Sequence, residues 1–170
     1  MSRIYVCPLS CIAQTVTSSK AERLITLINA ATPVERPAAI PPQHHLFLAI
    51  NDIVEPIDGL ITPQAEHVQR LLDFVSDWDR QQPVVIHCYA GISRSTAAAF
   101  ILTCALARHR DEFEVARALR AASVYAYPNR LLVRLGDEIL GRKGRMVDAV
   151  EAIGIGVLAE ESVPFSLSVA

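Results

Sequence analysis

The sequence lacks an excess of charge of either sign and any long apolar run. Its 170 residues carry a formal net charge of −2, so no broad basic surface is expected to attract nucleic acid or anionic lipid. The longest apolar run, residues 97–107, is too short to cross a bilayer and indicates a buried helix instead. Any anion that binds this protein must therefore be recognised by a local site.

Cysteine is also sparse, and its spacing does not suggest a metal site. The four cysteines are Cys7, Cys11, Cys88 and Cys104. A chain of this length with so few cysteines is expected to be reduced and cytoplasmic. No apolar segment followed by a cleavage site begins the sequence, so no signal peptide is predicted. His44 and His45 have no carboxylate or cysteine nearby to complete a ligand set, and no metal or cofactor is expected.

What the chain does have is an alternation of short apolar runs and helical patterns. Hydrophobic residues make up 51% and charged residues 20%, a balance typical of a globular domain. Strands are predicted at residues 4–7, 24–29, 46–50 and 83–87, although the second of these runs could also be helical. Helices are predicted at residues 62–80, 95–107, 111–122, 128–141 and 146–153, with a helical turn within 18–23.

This order of elements predicts an α/β fold, in which a mainly parallel central sheet of about four to five strands is flanked by helices. One domain is predicted over residues 1–155, followed by a loose C-terminal tail over residues 156–170. In such sheets, ligands bind beyond the carboxyl ends of the strands. The loop after the strand at residues 83–87 is expected at that edge.

That loop, HCYAGISRS at residues 87–95, carries a cysteine between a strand and a helix. A thiol is a good nucleophile only as a thiolate. If the loop curls, the backbone N–H groups of residues 89–94 point into one concavity, which favours the thiolate of Cys88 and can hold a phosphate. Gly91 permits the backbone conformation that such a curl requires. The segment therefore predicts a phosphate-binding loop; its other members are His87, Tyr89, Ala90, Ile92 and Ser93.

Two side chains that follow the cysteine complete this chemistry. Arg94, six residues after Cys88, has a planar guanidinium that can hold two phosphate oxygens. The hydroxyl of Ser95 can donate a hydrogen bond to the Cys88 sulfur when that sulfur leaves a phosphorylated intermediate. A buried cysteine that merely fills space would not require glycine, arginine and serine at these offsets.

The pattern His-Cys-x5-Arg-Ser resembles the signature of the protein tyrosine phosphatase superfamily, and above all its compact dual-specificity-type and bacterial members. The resemblance covers residues 45–141 approximately. It implies a metal-independent phosphatase in which Cys88 forms a phosphocysteine, Arg94 binds the phosphate and Ser95 assists hydrolysis. It also implies a phosphorylated protein as the partner, with phosphotyrosine as the first expectation and dual specificity as the alternative.

The same resemblance implies an aspartate upstream of the loop as the general acid. Asp52 and Asp58 are both candidates, and spacing does not decide between them. Asp52 is preferred because a residue directly after a strand is held more rigidly than one within a loop; Glu55 is a third option. Asn129, within a Pro-Asn pair, could support the loop or simply begin a helix.

The loop interior, Tyr-Ala-Gly-Ile-Ser, contains no lysine. Because phosphoinositide-directed members of the family it resembles tend to carry basic residues there, the resemblance implies a phosphoprotein or a small monophosphate over a polyanionic inositol phosphate. Two other functions remain open at this point. One is a phosphopeptide-binding module without catalysis, and the other is an enzyme that handles sulfur or arsenate compounds through a similar anion loop.

Overall fold

The computed structural model describes residues 2–170. Within them, strands β1 to β5 lie at Arg3–Pro8, Arg23–Ile28, His45–Ala49, Val84–Cys88 and Phe165–Ser168. Helices α1 to α6 lie at Ile12–Ser19, Ala65–Phe74, Arg94–Leu106, Glu112–Ala122, Arg130–Ile139 and Arg145–Ile153. The α/β fold predicted from the alternation of elements is therefore confirmed.

The five strands form one sheet in the order β3-β2-β4-β1-β5. Strands β1 to β4 are parallel to their neighbours, whereas β5 is antiparallel to β1. Because parallel strands end at one edge, Pro8 lies opposite Cys88 in the pairing of β1 with β4. This edge gathers the ends of the first four strands around the loop that follows Cys88.

Successive strand residues face different cores, as the pleat of a strand requires. In β4, Val85 packs with α1 on one face of the sheet, whereas Val84 and Ile86 pack with α2 to α6 on the other. The near-continuous apolar sequence of β4 is thus explained by burial on both faces.

Helix α3 is the central element of the larger core, and residues 94–104 are all buried. Its apolar residues are distributed around the whole helix, which suits an element covered on every side. Gly136 of α5 allows the close approach of these two helices, since an added Cβ would lie 2.7 Å from Ile101 Cγ1. This packing fixes the first turn of α3, where Arg94 and Ser95 lie.

Three predictions from the sequence are wrong. Residues 165–168 of the predicted tail form strand β5, because Phe165 and Leu167 alternate with Ser166 and bury their side chains. The helical turn predicted at residues 18–23 is absent, since α1 ends at Ser19 and Lys20 adopts a left-handed conformation. The helix predicted at residues 62–80 is shorter at both ends, Ala65–Phe74, with Gln64 as its N-cap.

None of the helices in residues 2–170 combines the length and apolarity that crossing a bilayer requires.

Candidate active site

The loop predicted to bind phosphate lies at the floor of the main cleft. Cys88 is the last residue of β4 and Arg94 is the first residue of α3; residues 88–94 are called the Cys88 loop below. Both side chains are almost fully buried, with 2% and 7% of their surface exposed. The cleft has a volume of about 890 Å³ and is lined by residues 52–57, 88–90, 92–94 and 127–130.

Every carbonyl of the loop between these two residues accepts a hydrogen bond from the surrounding protein. The donors are four residues from three different parts of the chain. The bonds are Leu9 N–H to Tyr89 O (3.0 Å), Ser162 N–H to Ala90 O (2.8 Å), Ser162 Oγ–H to Gly91 O (3.1 Å), Tyr127 N–H to Ile92 O (2.9 Å) and Asn129 N–H to Ser93 O (3.2 Å). Because the C=O and N–H of a trans peptide point in opposite directions, the N–H groups of residues 90–94 are turned away from these donors.

Gly91 is the residue at which the curl is tightest. Its φ is +70°, in the left-handed region that favours glycine. An added Cβ would lie 2.8 Å from Cys7 C and 2.8 Å from Pro8 N, both of which are backbone atoms. The loop therefore requires glycine here for two reasons, its dihedral angle and the close approach of β1.

The nucleophile and phosphate ligand predicted from the sequence lie close to their expected partners. The Cys88 Sγ is 3.1 Å from the Ser95 Oγ, and Ser95 is fully buried. Arg94 donates through Nη1 to Ile50 O at 2.9 Å, while its buried Nε has no hydrogen-bond partner in residues 2–170. The guanidinium is thus held by the end of the β3 segment and keeps donor capacity for an anion in the cleft.

His87 supports the loop from inside the sheet. Burial, the largest cause, lowers its pKa to about 4, so it is neutral near pH 7. Its Nδ1 lies 3.2 Å from Cys88 O and must donate to that carbonyl, which leaves Nε2 to accept from the Thr26 hydroxyl at 2.7 Å. The Thr26 oxygen is in turn 2.7 Å from His45 Nε2, which must donate to it. A chain of hydrogen bonds thus links β3, β2 and β4 to the Cys88 carbonyl.

The other thiols are in different surroundings. All four cysteines are free, and burial raises the pKa of Cys7 and of Cys104 to about 12. Cys104 lies in α3 within the larger core, as predicted from the sequence. These two thiols are kept protonated near pH 7 and are poor nucleophiles.

The two candidate acids are placed differently. Asp52 lines the cleft, and its Oδ1 accepts from Ser93 Oγ at 2.7 Å and from Asn129 Nδ2 at 2.9 Å. Asp58 is exposed and is not among the residues that line the cleft. Glu55 also lines the cleft, and all three carboxylates are exposed. Of the three carboxylates, the structure ties only Asp52 to the Cys88 loop.

Asn129 connects the Asp52 segment, α5 and the Cys88 loop through its buried side chain and its backbone N–H. Its Nδ2 donates to Asp52 Oδ1 and to Ile53 O, and its Oδ1 accepts from Leu132 N–H at 3.0 Å as the N-cap of α5. Its backbone N–H donates to Ser93 O. Asn129 therefore makes the contacts expected of both alternatives: it bonds the Cys88 loop at Ser93 O, and it caps the N-terminus of α5.

Sequence reasoning missed two residues that contact the loop or its support, Ser162 and Thr26. Ser162 lies in the segment predicted to be a tail, and Thr26 lies in a strand with no chemical motif. The alternation Phe165-Ser-Leu-Ser-Val could have indicated a strand with one buried face. No signal in the sequence pairs Thr26 with His87.

Comparison with known proteins agrees with this geometry. The model of the protein-tyrosine phosphatase family matches residues 58–123, which contain the Cys88 loop. No curated protein matches the sequence at a significant level.

Solved structures share the fold at low sequence identity. DUSP15 is 17% identical, with 88% of this chain and 89% of that chain covered and a TM-score of 0.64. The human tyrosine phosphatase-like serine/threonine/tyrosine-interacting protein is 14% identical, with 82% and 92% covered and a TM-score of 0.66. PTPMT1 in complex with PI(5)P is 15% identical, with 82% and 94% covered and a TM-score of 0.61.

The family match over residues 58–123 supports the resemblance to the protein tyrosine phosphatase superfamily. The solved structures show that the chain shares its fold with compact dual-specificity-type phosphatases. The family match also agrees with the predicted enzyme class, a hydrolase of the protein tyrosine phosphatase type.

Proposed function

We propose that this chain is a metal-independent phosphatase that acts on phosphorylated proteins through a phosphocysteine on Cys88. Phosphotyrosine is the proposed preferred substrate, with dual specificity as the alternative. The observation that carries the proposal is the Cys88 loop itself. All five carbonyls of residues 89–93 are bonded on the outside, so the amides on the inside can bind the phosphate oxygens.

In the first step, the Cys88 sulfur attacks phosphorus and forms an S–P bond while the P–O bond to the leaving group breaks. Arg94 and the loop amides stabilise the negative charge on the equatorial oxygens. The leaving oxygen takes a proton from Asp52. Because both hydrogen bonds to this carboxyl end on Oδ1, Oδ2 is the oxygen that remains to carry that proton.

In the second step, water attacks phosphorus and the S–P bond breaks. Asp52, now ionised, accepts a proton from the attacking water. Ser95 donates a hydrogen bond to the departing sulfur, for which its Oγ already lies 3.1 Å from Sγ. The sequence ends with inorganic phosphate and the thiolate restored.

The walls of the cleft support an aryl phosphate of low total charge. Apolar side chains of the cleft include Val54, Ile57, Ile92 and Tyr127, which can pack against an aromatic ring. Beyond Arg94, the lining offers one cation, Arg130, and two carboxylates, Asp52 and Glu55. This balance favours a single phosphate on a protein side chain over a polyanionic ligand.

The test is hydrolysis of p-nitrophenyl phosphate with a chelator present. We expect turnover that vanadate inhibits and that Cys88→Ser lowers by at least about 10⁴-fold, since the nucleophile is lost. Cys11→Ser is the matched control, because Cys11 is half-buried and does not line the cleft. It should keep wild-type activity.

Substrate preference is measured on a phosphotyrosine peptide, a phosphoserine peptide and PI(5)P at equal concentrations. The proposal requires the highest kcat/KM on the phosphotyrosine peptide. A preference for PI(5)P would refute the proposed substrate class. Tight binding of phosphopeptide without turnover would instead support a binding module, and activity that the chelator abolishes would refute the metal-independent mechanism.

A further inference from the structure

The C-terminal segment, residues 156–170, passes behind the Cys88 loop on the side opposite the cleft. We propose that Ser162 of this segment is a positioning residue that orients two of the amides that bind the anion. The inference rests on the proposed function, because it assigns a second part of the chain to the same phosphate site. Ser162 touches neither the nucleophile nor the cleft.

Ser162 makes two hydrogen bonds to consecutive carbonyls. Its N–H donates to Ala90 O at 2.8 Å, and its Oγ–H donates to Gly91 O at 3.1 Å. Only 4% of its surface is exposed, so water does not compete strongly for these acceptors. Since each peptide is planar, the two bonds turn the N–H groups of Gly91 and Ile92 towards the cleft.

The other loop carbonyls have donors from elements that pack directly against the loop. Tyr89 O is bonded from the residue after β1, and Ile92 O and Ser93 O are bonded from the segment before α5. Within residues 2–170, Ser162 is the donor recorded for both Ala90 O and Gly91 O. The middle of the loop therefore depends on a residue that lies 71 positions away from Gly91.

Both sides of Ser162 are anchored, which fixes where its hydroxyl lies. Before it, Val157 N–H donates to Val124 O at 2.9 Å, and Gly156 packs so closely on Tyr125 that a Cβ would lie 2.8 Å from its carbonyl oxygen. After it, β5 pairs with β1 from Phe165 to Ser168. The segment is thus a strap held at two ends, with Ser162 between them.

The Ser162 hydroxyl also meets the most constrained residue of the loop. An added Cβ on Gly91 would lie 2.5 Å from Ser162 Oγ. The serine therefore fills the space that the missing side chain leaves and bonds the same residue's carbonyl. Removal of the hydroxyl leaves both a small void and an unpaired buried carbonyl, so the loop can relax away from the anion.

The experiment measures tungstate binding by calorimetry, together with p-nitrophenyl phosphate kinetics, in the full chain. Tungstate is a phosphate-like anion, and its binding requires no turnover. We expect Ser162→Ala to weaken tungstate binding by about three- to tenfold, the effect of one lost buried hydrogen bond, and to lower kcat/KM by a similar factor. Ser162→Cys keeps a weak hydrogen-bond donor, so its tungstate affinity and kcat/KM should lie between those of wild type and Ser162→Ala.

Ser166→Ala is the matched control, because Ser166 lies in the same segment and its Oγ accepts a hydrogen bond from Arg3 Nε at 2.9 Å, away from the loop. We expect it to lower the melting temperature as Ser162→Ala does, while tungstate binding stays at the wild-type value. Equal tungstate affinity in Ser162→Ala and wild type would overturn the proposal. So would an equal loss of affinity in Ser166→Ala, because the effect would then be one of general stability.

The two proposals fail in different ways. If wild type binds tungstate but does not hydrolyse phosphate esters, the proposed function is wrong while the Ser162 comparison still stands on binding. If wild type is active and Ser162→Ala binds tungstate normally, the positioning role is wrong and the phosphatase proposal is unaffected. Should Ser162→Ala not fold, Ser162→Cys provides the comparison with wild type and Ser166→Ala.

Discussion

Two loops line the cleft, and the protein holds them in different ways. The Cys88 loop is buried at both ends. Each carbonyl of residues 89–93 accepts a hydrogen bond from outside the loop, and Ser162 donates two of these bonds. The Asp52 loop, residues 51–61, is exposed from residue 54 to residue 61. It is closed at its base by Asn51 and Ile61, which exchange hydrogen bonds of 2.9 Å.

The difference corresponds to what the proposed mechanism requires of each loop. An anion that is bound by backbone dipoles needs those dipoles fixed beforehand, since reorganisation during the reaction would add to the barrier. A proton donor has to reach one oxygen, so one well-held residue is enough. In the proposed mechanism Asp52 is that residue. It is exposed like most of its loop, but Ser93 and Asn129 hold its Oδ1 in place.

Replacement of Asp52, the proposed general acid, should give the largest effect and tests the comparison between the two loops most strongly. We expect Asp52→Asn to lower kcat by about 10² to 10⁴-fold on aryl phosphates with poor leaving groups, because no proton is then available for the leaving oxygen. The loss should be smaller on p-nitrophenyl phosphate, whose leaving group needs little protonation. The measurement is kcat across a series of substituted phenyl phosphates.

Asp58→Asn is the control within the same loop. Asp58 is exposed and outside the cleft, so we expect a change of no more than about twofold. The reverse outcome, a large loss in Asp58→Asn with little in Asp52→Asn, would assign the acid to Asp58. It would also mean that the Asp52 loop closes over the substrate.

The two loops each contain a glycine with positive φ, which allows a matched comparison of rigidity. Gly91 has φ +70° and is crowded by β1 backbone, whereas Gly59 has φ +80° with open space where a Cβ would lie. We expect Gly59→Ala to cost about 1 kcal/mol from its dihedral angle alone. Gly91→Ala should cost about 3 kcal/mol or more, because a collision is added to the strain.

Activity should separate these variants further. Gly91→Ala displaces the amides that bind phosphate, and we expect kcat/KM to fall by about 10²-fold. Gly59→Ala should remain close to wild type. Urea unfolding and p-nitrophenyl phosphate kinetics measure both quantities; similar losses in the two variants would show that the loops are equally constrained.

The position of the Cys88 loop between a strand and a helix could be predicted because its signals are local. Cys88, Gly91, Arg94 and Ser95 lie within eight consecutive residues, and a strand and a helix with clear patterns flank them. The order of strands and helices likewise determined the fold class. Asp52 and Asp58 could not be separated by spacing, since the loop that carries them has no regular structure and its path depends on contacts with Ser93 and Asn129.

The contacts of Ser162 and Thr26 could not be predicted from the sequence for a different reason. Each acts through a backbone carbonyl or a neighbouring strand far away in the sequence, and a single serine or threonine carries no pattern. The tail was predicted to be loose, yet residues 165–168 form β5, which pairs with β1. Pairings between the two ends of a chain are set by tertiary structure, which local periodicity does not encode.

A smaller effect than that of Gly91→Ala is expected at Thr26, which contacts the Cys88 loop through His87. Thr26→Val keeps the shape but leaves His87 Nε2 and His45 Nε2 without their partner, so we expect about 1–3 kcal/mol lower stability in urea unfolding. Thr103→Val is the control, because the Thr103 hydroxyl bonds only Ala99 O within α3, and it should be nearly neutral.

The pH of this comparison matters. The folded pKa of His87 is about 4, against about 6.5 in the unfolded chain. The stability that the neutral ring contributes is complete above about pH 6.5 and is lost as the pH falls towards 4, because the unfolded chain then binds the proton first. At pH 7.5 the ring is neutral in both states, so the difference between Thr26→Val and Thr103→Val reports the hydrogen-bond chain alone. Equal stabilities of these two variants would show that the chain does not support the loop.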